Sequence, residues 1–107
     1  MNDLARVEAE QRDGLTLVRV HGEIDLSNAR DVGGAIEAAV PAESGGLVVD
    51  LSGTTYLDSA GISLLLRLAD RLRPRRQSIR LVVPADSPVR AVLELTGVPA
   101  IIPLDAG

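Results

Sequence analysis

Apolar and polar positions change rhythm several times along this chain. Around Val7-Glu8-Ala9-Glu10 they alternate weakly, as in an edge strand. Asp13-Gly14 follows as a turn signal, and Leu15 to Val20 is rich in strand formers, so a hairpin is expected. Gly22-Glu23-Ile24-Asp25 reads as a loop. The period then lengthens. Ala29, Val32, Ala35, Ile36 and Ala39 recur at helical spacing, with Ser27 placed to cap the helix and Val40 near its end. Pro41 and Ser44-Gly45-Gly46 stop it. Leu47 to Leu51 is almost wholly apolar, the pattern of a strand covered on both faces. A polar loop leads to a second helix from about Ser59 to Arg73, where Pro74 ends it.

Ser78 to Val83 reads as a fourth strand. Asp86-Ser87-Pro88 reads as a cap with proline in the first helical turn, opening a third helix that runs to Thr96. Gly97 supplies its stop, and Ile101-Ile102 offers a last short strand. The expected order is β-β-α-β-α-β-α-β. Strands alternating with helices need crossover connections, so the expected fold is a single α/β domain. Its sheet is mixed and mostly parallel, with four to five strands and three or more helices. There is no repeat, low-complexity segment or internal linker.

The helix at Ser59 can be placed around its axis at about 100° per residue. Ile62, Leu65, Leu68, Ala69 and Leu72 fill one broad arc, while Ser63, Arg67, Asp70 and Arg71 fill the opposite one. Ser59 falls on the polar side, with Leu66 at the border. Leu64 lies near Arg71, outside the centre of the packed arc.

Composition narrows the possibilities. The chain has 107 residues, enough for one core and too few for two. Tyr56 is the one aromatic residue, so the core is built from Leu, Val, Ile and Ala. With no cysteine there is no disulfide and no thiolate metal or redox site, which suits a cytoplasmic protein. No apolar run approaches the ~20 residues of a membrane span, and no signal peptide is recognisable. The net charge of −4 argues against nucleic acid as a partner. One basic cluster, Arg71, Arg73, Arg75, Arg76 and Arg80, reads as helix-end cations and a solvated turn. No unassigned apolar segment demands a second copy, so a monomer is expected.

Candidate chemistry converges on Asp58-Ser59-Ala60-Gly61, a hydroxyl beside a carboxylate at a helix start. Three roles compete for Ser59. As a cap its hydroxyl accepts a first-turn N–H, stabilising by about 1 kcal/mol. As a nucleophile it needs a base, and the only histidine is His21; no Gly-x-Ser-x-Gly elbow surrounds it, since residue 57 is Leu. As a phosphoacceptor it sits where a helix N-terminus tolerates phosphate. Glu23 and Asp25 are two carboxylates without further ligands, a weak cation site that reads first as a solvated turn. Thr54 and Thr55 read as loop residues bonding to the local backbone.

Four blocks, in order, resemble the STAS domain family, named for sulfate transporters and anti-sigma factor antagonists. They are Gly22-Glu23-Ile24-Asp25; Val48-Val49-Asp50-Leu51-Ser52 with Tyr56-Leu57-Asp58-Ser59-Ala60-Gly61; Val82-Val83-Pro84; and Val89 to Gly97. The resemblance is strongest to stand-alone bacterial anti-sigma factor antagonists. It implies a partner-switching protein, not an enzyme, with no cofactor or metal of its own. The unphosphorylated form would bind an anti-sigma factor that is also a serine kinase of the histidine-kinase-like ATPase type, releasing the sigma factor. Phosphorylation of Ser59 would end that binding, and a PP2C-type phosphatase would reset it. By position, Asp58 and Gly61 would shape the phosphorylation loop, Gly61 by keeping the helix start open to the partner, and Glu23 and Asp25 would flank the docked kinase. Ser63 and Leu66 complete the expected partner surface. Two departures stand out: Ala60 where many relatives carry a second serine, and Val98-Pro99-Ala100 where polar residues are common. Other STAS modules act as stressosome-like scaffolds, nucleotide or ligand sensors, or soluble transporter partners, since fold alone does not fix function.

Overall fold

The computed structural model describes residues 4–107. Strands β1 (Ala5–Arg12) and β2 (Leu15–Ile24) form the expected hairpin, antiparallel from Ala5 opposite Gly22 to Arg12 opposite Leu15. Asp13 and Gly14 both take positive φ in its turn. Helix α1 spans Ala29–Ala39, β3 Gly46–Asp50, β4 Thr54–Leu57 and α2 Ser59–Leu72. A 3-10 turn at Arg73–Arg75, β5 (Ser78–Val82), α3 (Arg90–Leu95), a second 3-10 turn at Val98–Ala100 and β6 (Leu104–Asp105) complete the chain.

Among the described residues the sheet has six strands, one more than the largest number expected. It runs β1-β2-β3-β5-β6, with β4 also paired to β2. Only β1 is antiparallel to its neighbour. On its edge away from β1 the long β2 serves two partners: Thr16–Arg19 pairs with β3, and Gly22–Ile24 pairs with β4. Gly22 stands at φ +105°, and a Cβ there would strike the Leu4 carbonyl. The register shifts between Gly22 and Glu23, and the Gly22 N–H donates to the Gly53 carbonyl at 2.9 Å. This bulge lets β2 pass from one partner to the next.

One sheet face is buried at its centre. Val18, Val20, Ile24, Leu47, Val49 and Leu81 pack there in one core with Val32, Ile36, Leu65, Leu68 and Leu72 of the helices. The other face is half exposed at Leu17, Val48 and Asp50. It carries ion pairs such as Arg19–Glu10 at 2.9 Å. The reading of β3 as covered on both faces is therefore corrected: its apolar run reflects one buried face plus a half-open one.

Other expectations shift too. The segment Gly22–Ile24 and residues Thr54–Leu57 are strand rather than loop. Ser27 does not cap α1; Asn28 holds that position without a side-chain cap bond. Leu64 is buried, not peripheral, because α1 packs over it, leaving only 3.3 Å between a Cβ built on Gly33 and Leu64 Cδ1. The third helix starts at Arg90, with Pro88 outside it, and the Ser87 hydroxyl accepts from the Val89 N–H at 3.2 Å. The last strand is Leu104–Asp105; Ile101 is exposed and Ile102 is buried in the turn before it.

Candidate functional site

Strands β2 and β4 run parallel and end side by side, Ile24 opposite Leu57. The loops leaving these carboxyl ends therefore adjoin. Carboxyl ends of sheet strands are a common place for binding sites in α/β folds.

Asp58 joins the two loops. Its N–H donates to the Ile24 carbonyl at 3.3 Å. Its Oδ2 accepts the Leu26 N–H at 3.3 Å, and its Oδ1 accepts the N–H groups of Ala60 at 2.9 Å and Gly61 at 3.2 Å. Asp58 is thus the N-cap of α2, in extended backbone geometry. The cap role open to Ser59 on sequence belongs to its neighbour. Ser59 is the first residue of α2 and is exposed, and its hydroxyl has no hydrogen-bond partner among the described residues.

The β2–α1 loop is braced from within. The Asp25 Oδ1 accepts both the Ser27 N–H at 2.8 Å and the Ser27 hydroxyl at 2.5 Å. The buried Asn28 side chain accepts the Asp25 N–H at 2.9 Å and donates to the Glu23 carbonyl at 2.8 Å. The Ser27 hydroxyl above all, with the Ser27 and Asn28 backbone N–H groups, holds the Asp25 carboxyl below the usual carboxylate range against some desolvation. These bonds commit the Asp25 carboxylate to loop architecture. Among the described residues no group of three or more His, Asp or Glu side chains converges as a metal site.

Between the loops lies a groove. Leu26, Ser27, Ala29, Arg30 and Asp31 form one wall; Asp58, Ser59, Ala60, Ser63 and Arg67 form the other. It continues between α1 and α2 past Gly33 and Gly34 to Glu37 and Arg71. Of the expected site residues, Asp58, Ser59 and Ser63 line this groove. Glu23 is exposed on β2, Asp25 is half-buried beside the groove, and Leu66 is half-buried against the core. Gly61 is buried; a Cβ on it would collide with the Leu57 side chain and come within 3.3 Å of Ile24 Cγ2. Its lack of a side chain serves the fit beneath the loop rather than an opening toward solvent.

The groove also holds residues that sequence reasoning missed. Leu26 is 84% exposed at the loop tip. Nothing in its local pattern marks it, because its place in the groove depends on a loop over thirty residues away. Arg67 shares the polar arc with Ser59 and Ser63 and was available on the helical wheel. Arg30 reaches the groove only through the packing of α1 on α2.

His21 does not join Ser59. Its Nε2 lies 3.0 Å from Glu8 Oε1, its ring packs over Gly53, and it is not part of the groove. The Ser59–His21 pair that a hydrolase would need is not assembled. The basic cluster is divided by ion pairs of Arg71 with Glu37, Arg73 with Asp70, and Arg80 with Asp105, each at 2.8–3.0 Å. Among the described residues no helix is long and apolar enough to cross a membrane.

Residues 7–103 match the family model described as "Mlab, STAS domain". This chain belongs to the STAS domain family. Among its relatives, the anti-sigma-F factor antagonist RsfB of Mycobacterium tuberculosis is 30% identical over 96 residues, covering 89% of this chain and 76% of RsfB. The crystal structure of an anti-sigma factor antagonist from Mycobacterium paratuberculosis superposes with a TM-score of 0.80 at 31% identity, covering 96% of this chain and 86% of that one. SpoIIAA, an anti-sigma factor antagonist in its unphosphorylated form, gives a TM-score of 0.73 at 18% identity over 92% of this chain and 87% of that one, a likeness of fold alone.

Proposed function

We propose that this chain is a cytoplasmic anti-sigma factor antagonist working by partner switching, with Ser59 as its phosphoacceptor. The observation that carries the reading is the Ser59 hydroxyl, exposed in a groove and without a hydrogen-bond partner among the described residues, while Asp58 caps the helix. The names of RsfB and of the Mycobacterium paratuberculosis protein support the antagonist role. In the unphosphorylated state the groove, with Asp58, Ser59 and Ser63 at its centre, binds an anti-sigma factor and frees the sigma factor. Glu23, Asp25 and Leu66 flank that surface, and Gly61 supports it from below. The anti-sigma factor is a serine kinase of the histidine-kinase-like ATPase type.

In the off-switching step Ser59 Oγ attacks the γ-phosphorus of ATP held by the kinase. The Oγ–P bond forms, the bridging P–O bond to the β-phosphate breaks, ADP leaves, and the hydroxyl proton passes to a base of the kinase. The product carries up to about two added negative charges beside Asp58 and the apolar Leu26. Charge placed next to a carboxylate and in an apolar contact zone repels a docked partner. A PP2C-type phosphatase resets the switch by hydrolysing the phosphoester.

Phosphopeptide mass spectrometry on the protein recovered from its own cells, with Ser59→Ala expressed in parallel, tests this. Phosphate on Ser59 that vanishes in the variant is the expected result. Ser59 unmodified through growth and stress would sink the reading.

A further inference from the structure

Most arginines of this acidic chain hold a carboxylate, as Arg19, Arg71 and Arg80 do. Arg30 and Arg67 hold none among the described residues, yet both line the groove with Ser59. They come from different elements, Arg30 from the first turn of α1 and Arg67 from the middle of α2. Side chains on a helix lean back toward its N-terminus, so Arg67 leans toward the Ser63 and Ser59 turns. The acidic groups facing the groove do not neutralise them. Asp58 is committed to three backbone N–H groups, and Asp31 makes no ion pair among the described residues.

Resting on the reading of Ser59 as a phosphoacceptor, we propose that Arg30 and Arg67 together receive the phosphate of phosphorylated Ser59. A phosphate offers three strong acceptor oxygens and up to about two charges. A guanidinium meets it with two parallel N–H donors. Because the phosphate is tethered in the same groove, the encounter is intramolecular and carries no association cost. The two arginines are open to solvent before modification and are drawn onto the phosphate after it. The switch then works twice over: it adds charge to the surface, and it binds the α1 and α2 walls together across the groove. A carboxylate of a docked partner could use the same two arginines, and the test separates that case.

Phosphoserine placed at position 59 by suppression of a stop codon needs no kinase, so the outcome is independent of whether cells phosphorylate Ser59. The phosphate is then titrated by ³¹P NMR in the wild-type background and in Arg30→Gln/Arg67→Gln. Opposite charges a few Å apart shift an ionisation by 1–3 units, less when exposed, so the second phosphate ionisation is expected about half a unit or more lower in the wild-type background. Arg75→Gln/Arg76→Gln removes the same charge from the turn beyond α2 and is expected to leave the titration in place. Coincident curves for the wild-type background and the Arg30/Arg67 variant would overturn the proposal, as would equal shifts from both double variants. Coincident curves combined with lost binding of the unmodified variant to its anti-sigma factor would assign the arginines to partner carboxylates instead. Circular dichroism checks that these exposed substitutions leave the fold intact.

Discussion

The carboxylate of Asp58 holds the backbone N–H of Leu26 at 3.3 Å, although the two residues lie 32 positions apart. The same carboxylate caps α2 through Ala60 and Gly61. One side chain therefore sets both the start of the helix that carries Ser59 and the loop that faces it across the groove. Asp58→Ala removes the cap, a loss of about 0.5–2 kcal/mol. For a domain of this size each kcal/mol lowers the melting temperature by roughly 4–8 °C. Asp58→Asn keeps an acceptor and is expected to lose less. A thermal melt in which Asp58→Ala matches wild type would remove Asp58 from this role.

Ser59→Ala separates structure from signalling. Were Ser59 the cap, the change would cost about 1 kcal/mol. With Asp58 in that position and the hydroxyl unbonded, stability is expected to stay within about 0.5 kcal/mol of wild type. Urea denaturation measures this directly, and an unfolded or strongly weakened variant would make the hydroxyl structural. The same variant is expected to bind the anti-sigma factor and to resist phosphorylation.

The hairpin was legible from its Asp13-Gly14 turn signal and the strand formers of Leu15 to Val20, and α1 and α2 from a period of 3.6 sustained over many residues. β4 was hidden for a physical reason: Thr54-Thr55-Tyr56-Leu57 is four residues long, follows a glycine, and acquires strand character only by pairing with the far half of β2. Gly22 to Ile24 was hidden by the same pairing. Leu64 was misplaced because a helical wheel reckons with one packing direction, whereas α2 packs on the sheet and on α1. Asp58 and Ser59 are both good capping residues in adjacent positions, and a shift of one residue leaves no trace in sequence. The exposure of Ser59 was legible from its polar arc. Leu26 and Arg30 were not, since their place at the site depends on contacts between segments about thirty residues apart.

Gly61 and Gly34 are expected to respond in opposite directions to alanine. A Cβ on Gly61 collides with Leu57 and approaches Ile24, the two residues from which the site loops depart. Overpacking of that kind costs about 1–3 kcal/mol. Gly34 is exposed within α1, and a Cβ there meets nothing within 4 Å. Gly34→Ala therefore stabilises by about 0.4–1 kcal/mol, chiefly by restricting the unfolded chain. Equal melting temperatures for the two variants would contradict this account of the Gly61 packing.

Acid is expected to loosen the β2–α1 loop. The Ser27 hydroxyl, ahead of the backbone N–H groups, keeps the Asp25 carboxyl below its ordinary range. Arg19 does the same for Glu10 through a side-chain hydrogen bond. In each case the folded value lies below the unfolded one, about 3.9 for Asp and 4.3 for Glu. The linked stability is fully present above those unfolded values and is lost as pH falls through the folded ones. Ser27→Ala removes the largest cause at Asp25, so the Asp25 titration followed by NMR is expected to move upward. The gap in melting temperature between Ser27→Ala and wild type is expected to narrow as the solution is acidified through the Asp25 titration. A gap that stays constant across that range would mean the hydroxyl bond does not depend on the charge of Asp25.

Leu26 is the sharpest probe of the docking surface. At 84% exposure its side chain contributes little to the core, while its backbone N–H is fixed by Asp58. Leu26→Ser keeps that N–H, so stability is expected to change by less than about 0.5 kcal/mol. An apolar anchor at the centre of an interface is worth more than about 1 kcal/mol when truncated, which corresponds to a several-fold to tenfold loss of affinity. A two-hybrid screen against the anti-sigma factor kinases of the same genome identifies the partner, and calorimetry with wild type and Leu26→Ser then measures the loss. Affinity unchanged in a fully folded Leu26→Ser protein would take the loop tip out of the interface and move the docking surface toward α2 alone. A large loss would tie partner binding to the loop that Asp58 holds in place, next to the hydroxyl that phosphorylation would modify.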